Sequence, residues 1–290
     1  MIGDWLRKLA DGLTPPSPAT SALSDAVRQR LFAEMEERAV PCVRLSAAKA
    51  GASVRSRLGG LPAIQGRFKW PHWRERPLSF LADIDLAEIA AASKFDWLPD
   101  SGRLLFFYDS EQDAWGFDPK DKGAWAVYFD PSEEAAPLAV PPPGLPSHGR
   151  YPEVPIEAAE SVSFPGPERL GDAIGELSDD EWAAVDERRR TDLPAHQIGG
   201  YPSPVQGEGM ELECQMASNG VYVGGPEGYS SPEAQALQAG AADWQLLLQL
   251  DSNDAADMMW GDVGMLYFWV RKQDSANKDF SKVWMVLQCF

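Results

Sequence analysis

The chain has 290 residues and a formal net charge of −18, from 44 acidic and 26 basic side chains. That balance excludes a basic nucleic-acid footprint and attraction to an anionic membrane surface. It is compatible with a basic protein partner, or with solubility alone. Cys42, Cys214 and Cys289 are far apart and odd in number, so neither a disulfide framework nor a Cys-x-x-Cys zinc site is indicated, and a reducing cytoplasm fits.

In chain order, Ile2, Trp5, Leu6, Leu9 and Leu13 fall near one face of a short amphipathic helix, followed by a proline-rich linker, Thr14 to Ser21. Ser24 is a candidate N-cap for a helix with Leu23, Val27, Leu31 and Met35 at spacing four. Cys42 to Leu45 reads as a short strand and Trp70-Pro71-His72-Trp73 as a loop. Leu78 to Ile84 is an apolar strand that runs into Asp85-Leu86-Ala87-Glu88, the pattern of a capping box. Arg103 to Tyr108 and Trp125 to Phe129 are further strands. Pro131 to Pro155 is proline-rich and reads as a surface meander, with a short strand at Ser161 to Phe164. Ser178 to Glu181 opens another capping-box helix, and Ser231-Pro232 opens one with proline at its first position. Trp244 to Leu250, Gly264 to Val270 and Trp284 to Gln288 are the last strands. No run approaches the length of a membrane span, and no secretory signal is read at the start.

Three blocks occur twice. Gly59-Gly60-Leu61-Pro62, Leu78 to Asp85 and Gly102 to Tyr108 are matched by Gly199-Gly200-Tyr201-Pro202, Leu246 to Asp251 and Gly264 to Val270. The offsets are about 140, 166 and 162 residues, in the same order, which predicts two pseudo-symmetric repeats sharing one core. The expected fold class is α+β: a β-rich body of two repeats plus N-terminal helices. Residues 1–39 would be the helical segment and 40–290 the body. Repeat one spans about 40–130, a proline-rich acidic insert about 131–192 and repeat two about 193–290. From Tyr151 to Asp192 there are 12 acidic and 4 basic side chains, which concentrates negative charge in that insert.

The candidate site residues are Asp85, Asp251, Trp260, Asp262 and His196. Asp85 and Asp251 end apolar strands at equivalent positions. The favoured reading is that each caps the following turn; the alternative is that symmetry brings them together as an acid–base or cation-binding pair. Asp83 and Gln249 also correspond, and such polar groups need partners if buried. Trp260-Gly261-Asp262-Val263-Gly264 is either a tight loop or a ligand lip in which Trp260 stacks and Asp262 hydrogen-bonds. His196 would orient the second Gly-Gly turn. No metal site, cofactor motif, phosphate loop or nucleophile elbow is recognisable, so no catalytic residue, metal or cofactor is assigned.

These blocks, with Trp70-Pro71, Leu98-Pro99-x-x-Gly102, His196-Gln197-Ile198-Gly199-Gly200-Tyr201-Pro202 and Trp260-Gly261-Asp262, resemble the YwqG-like family, a bacterial family of unknown function. The resemblance covers roughly residues 40 to 290. It departs at Asp83, where the family pattern more often has Gln, as at Gln249. It implies an internally duplicated mixed α/β fold and, for some members, a genomic association with toxin immunity; it carries over no catalytic residues. The expected function is therefore a non-enzymatic cytoplasmic binding protein, of the kind that neutralises a basic toxin, docking through the acidic insert. The alternative is an enzyme or small-ligand binder with its site at the seam between the repeats.

Overall fold

The computed structural model describes residues 23–64, 68–132 and 137–290. The amphipathic segment and its linker, Met1 to Ser21, lie outside the described residues. The first helix, α1 (Asp25–Glu37), starts where Ser24 accepts a hydrogen bond from the Val27 amide, and it buries Leu31 and Met35. Strand β1 (Val40–Ala47) follows, then the two-residue β2 (Arg57–Leu58) and a small hairpin of β3 (His72–Trp73) and β4 (Arg76–Pro77). The hairpin corrects the loop expected at Trp70–Trp73. Both tryptophans cover core all the same, and the Trp70 indole N–H donates to the Leu78 carbonyl at 2.8 Å.

Strand β5 (Ser79–Asp85) is buried at every residue and leads into α2 (Leu86–Ala92). β6 (Arg103–Tyr108) and β7 (Trp125–Asp130) complete the first half. The stretch 131–192 is more than a surface insert. It supplies β8 (Val154–Ser163), which pairs β1 along its length, and then α3 (Pro167–Ile174) and α4 (Asp179–Arg189). The second half has β9 (His196–Ile198), α5 (Met210–Ser218), α6 (Pro226–Ser230), α7 (Pro232–Leu237), β10 (Trp244–Asp251), β11 (Met265–Arg271), α8 (Lys272–Ala276) and β12 (Trp284–Gln288).

The fold is α+β. Ten strands form one sheet in the order β12-β11-β10-β9-β1-β8-β2-β5-β6-β7, with every neighbouring pair antiparallel. The sheet curls until its two edges meet, a nearly closed barrel, which removes most of the exposed edge. Side chains and a loop bridge the gap. The Trp125 and Trp284 rings pack edge-on at 4.9 Å, and the Trp125 indole N–H donates to the Val283 carbonyl at 2.8 Å. Trp284 donates to the Gly116 carbonyl at 2.7 Å, and the Leu287 amide donates to Trp115 at 3.1 Å. Phe106 and Phe268 pack at 5.1 Å, joining the halves in one apolar core.

Each Gly-Gly turn has both glycines at positive φ, +59° and +72° at Gly59 and Gly60, +68° and +72° at Gly199 and Gly200. A side chain would be strained at these angles and would also collide: a Cβ on Gly59 would lie 2.1 Å from the Pro152 carbonyl oxygen, and one on Gly199 2.6 Å from the Phe95 ring. After each turn an extended segment crosses the outside of the barrel, and polar side chains of the strands beneath satisfy its backbone. In the first half Arg57 donates to Leu61 at 2.9 Å and Arg103 donates to Ala63. Asp83 holds both guanidiniums at 2.9 Å, and Asp130 holds Arg103 at 2.8 Å. In the second half amides take over. Gln197 donates to Tyr201 at 3.0 Å, Gln249 accepts from the Ser203 amide at 2.8 Å, and Gln288 accepts from the Val205 and Gln206 amides at 3.0 Å.

A satellite core lies outside the barrel, where Leu31 and Met35 of α1 meet Leu170, Leu177 and Val185 of the α3–α4 region. The α4 capping box forms as its sequence pattern predicts, with Ser178 and Glu181 bonded reciprocally. At α2 the box is only half formed. Asp85 caps Ala87 and Glu88, but the Glu88 carboxylate turns away to accept the Arg55 and Ser56 amides at 2.6 and 3.0 Å.

Candidate functional site

A cleft of about 790 Å³ opens on the outer wall of the second half, between the barrel and α3. Its floor is the cross-strand pair Leu246 and Trp269, with Trp244 beside them. One wall is the loop after α2, which projects Phe95 and Trp97, packed on each other at 5.3 Å. Phe95 lies against bare Gly199, so the Gly-Gly turn sets the position of this wall. The opposite wall is α3, with Glu168 and Asp172 one turn apart.

Arg169 and Glu208 hold that helix in place. One terminal nitrogen of Arg169 donates to both carboxylate oxygens of Glu211 at 2.7 Å, and the guanidinium lies 5.5 Å over the Tyr201 ring. Gly166, the N-cap of α3, has no side chain to satisfy the helix start, and Glu208 reaches in from 42 residues away in its stead. Its carboxylate accepts from the Arg169 amide at 3.4 Å and pairs with Arg189 of α4 at 3.0 Å. Burial raises the Glu208 pKa, opposed by Arg189 and Arg169. These two arginines are therefore occupied. Asp96, Glu168 and Asp172 on the cleft wall form no ion pair among the described residues, and neither do Lys94 and Lys272.

The residues singled out from the sequence lie elsewhere. β10 and β5 stand third and eighth in the strand order and run antiparallel, so Asp85 and Asp251, each at the end of its strand, sit at opposite ends and on opposite sides of the barrel. They cannot share a proton or a cation. Asp85 is held by Arg55 at 3.0 Å and caps α2. Asp251 accepts from the Ala195 amide at 2.7 Å; burial raises its pKa, and the Ala195 and Ser252 amides oppose the shift.

His196 is buried beside Asp251, with Nδ1 accepting from the Asp251 amide at 3.0 Å and Nε2 2.9 Å from the Asn253 side-chain nitrogen. Burial lowers its pKa to about 4, and the Asp251 amide facing Nδ1 makes that nitrogen the acceptor, which leaves the proton of the neutral imidazole on Nε2. Trp260 is wholly buried between Tyr108 and Tyr151, at 6.2 and 5.8 Å, and its indole N–H donates to the Asp251 carbonyl at 3.2 Å. It fills the seam rather than lining an opening. Asp262 is exposed nearby. The structure thus brings His196, Asp251 and Trp260 together and leaves Asp85 apart. Among the described residues no group of three or more His, Cys, Asp or Glu side chains could hold a metal ion, and no helix is long and apolar enough to cross a membrane.

Residues 56–289 match the family model described as "Domain of unknown function (DUF1963)". The chain belongs to that family. No curated protein matches it. The DUF1963 region takes in both Gly-Gly turns, the α3 wall and the seam, and leaves α1 and β1 outside. Since β1 lies between β8 and β9, the DUF1963 sheet in this chain is completed by a strand that precedes the matched region. Sequence reading did not select Phe95, Glu168, Arg169 or Asp172. The available signal was Phe95 and Trp97 in an otherwise polar loop; the α3 wall depends on Glu208, which nothing local announces.

Proposed function

We propose that this chain is a non-enzymatic cytoplasmic binding protein that takes a basic segment of a protein partner into the cleft beside α3, neutralising that partner by occlusion as an immunity protein does. The observation that carries the reading is the set of carboxylates in no ion pair among the described residues, Asp96, Glu168 and Asp172, in a cleft that also presents the half-buried Phe95 ring. Carboxylates and an aromatic face together suit a guanidinium or ammonium group, and a chain of net charge −18 attracts such a partner from a distance. Glu168 and Asp172 belong to the acidic stretch from Tyr151 to Asp192, the docking surface expected from the sequence.

The same reading takes the chain as two repeats of the YwqG-like kind. Several correspondences support this. Arg57 opposes Asp83 across β2 and β5 as Gln197 opposes Gln249 across β9 and β10. β5 is irregular between Phe80 and Ala82, and β10 between Leu246 and Leu248. Arg103 opposes Asp130 as Met265 opposes Gln288. Such pairs follow if one ancestral unit supplied both halves.

The test is calorimetric titration with an arginine-rich peptide at low and moderate salt. Glu168→Gln with Asp172→Asn is expected to weaken binding about tenfold and to flatten its salt dependence, while Glu233→Gln, which does not line the cleft, leaves both unchanged. Equal affinities for all three proteins would refute the cleft as the docking site.

A further inference from the structure

One end of the barrel carries an apolar face that the cleft reading does not use. The loop after β6 and the segment before β11 meet there. The Gln112 side chain donates to the Met259 carbonyl and accepts from the Gly261 amide, both at 2.8 Å, while its own carbonyl accepts from the Trp115 indole at 3.1 Å. The Phe290 amide donates to the Asp262 carbonyl at 3.0 Å. This clasp holds Trp115, Met259, Val263 and Phe290 at the same end, with 38%, 47%, 52% and 81% of their surfaces exposed. Grouped exposure of large apolar side chains marks contact surfaces.

Two further observations point the same way. Val263 has φ of +49°, a region in which a β-branched side chain is strained, yet it packs into no core. Strain kept on an exposed apolar side chain motivates a role for what that side chain presents outward. The surroundings also carry an acidic excess: Asp254, Asp257 and Asp262 form no ion pair among the described residues, while the nearby cations are Arg76, paired with Asp109 and Asp113, and Lys120 and Lys122, which flank the Asp121 that accepts the Trp115 amide. A second copy of this chain would bring like charges together, whereas a basic segment with an apolar face would match both features.

We infer that this end of the barrel is a docking face for a basic amphipathic segment of a partner protein, with Val263 and Trp115 as its apolar anchors. The inference is independent of the cleft. The probe is a helical peptide of leucine and lysine with one apolar face, compared with its sequence-scrambled form and with a leucine–glutamate form. The amphipathic lysine peptide is expected to bind with one-to-one saturation. Val263→Gly and Trp115→Ser should each weaken it about tenfold, and the Glu168→Gln, Asp172→Asn cleft variant should not. Val263→Gly should also raise the melting temperature, because glycine relieves the positive φ. Equal binding of the scrambled or glutamate peptide, unaltered affinity in both anchor variants, or a lower melting temperature for Val263→Gly would overturn the proposal. So would a concentration-dependent dimer that Val263→Gly dissolves, which would make the occupant a second copy.

Discussion

Asp83 and Gln249 meet the same demand, a polar group in an apolar strand beneath a crossing segment, with different chemistry. Asp83 is fully buried, and burial raises its pKa while Arg57 and Arg103 oppose the shift. Asp83→Ala would leave two guanidiniums without their shared carboxylate, at a cost of about 3–5 kcal/mol. Gln249→Ala would leave two neutral backbone groups, the Ser203 amide and the Ala195 carbonyl, without the side chain that bonds them, at about 1–3 kcal/mol. Urea unfolding of the two variants checks that order; equal losses would contradict it. His196 predicts a pH dependence. Its folded pKa of about 4 lies below the ordinary 6.5, so the unfolded chain binds the proton first and stability falls as pH drops through that window, by roughly 3 kcal/mol in all. Glu213 acts in the opposite sense. Its Oε2 is enclosed without a partner, and burial raises its pKa to about 7 from 4.5. Its contribution is complete below pH 4.5 and is lost as pH rises to 7, so the two effects oppose each other over the same range and Glu213→Gln should steepen the net loss of stability toward acid. Unfolding midpoints of the wild type and this variant across pH 4 to 8 check that, and identical pH profiles would contradict it.

At the scale of elements, legibility followed locality. β5, β6, β7, β10, β11 and β12 were readable because each carries its burial in its own side chains. β8 was read only at its end. It lies at the centre of the sheet, but Pro155, Ala159, Glu160 and Val162 along it are exposed, so its composition resembles a surface segment. β2 and β9 are too short to carry a pattern, although the glycines that follow them were read as turns needing positive φ or close approach. α3 was illegible for a different reason: its cap is Glu208, not a neighbour in sequence. A Cβ on Gly166 would lie 1.2 Å from a Glu208 carboxylate oxygen. Gly166→Ala is therefore expected to expel Glu208, unpair Arg189 and cost about 1–3 kcal/mol. Thermal unfolding tests this, and a neutral or stabilising effect would show that Glu208 does not hold α3.

At the scale of the molecule, the expected α+β class and the shared core follow from apolar strands buried on both faces and from aromatic contacts across the barrel. The sequence pattern also drew attention to the strand ends, where Asp85 caps α2 as expected; Asp251 instead holds the Ala195 amide, and His196 meets Asp251 and Asn253 and not the Gly-Gly turn. It could not reveal that an odd number of antiparallel steps separates β5 from β10, which puts the two aspartates at opposite ends. The cleft was illegible because its walls come from the loop after β5–α2, from α3 and from the second Gly-Gly turn, joined only by long-range packing. The most direct test of the account is hydrogen–deuterium exchange on the full chain with and without a saturating arginine-rich peptide. The account predicts protection concentrated in Lys94–Trp97, α3 and the Tyr201 turn. Protection confined to other surfaces, or none at saturation, would contradict it.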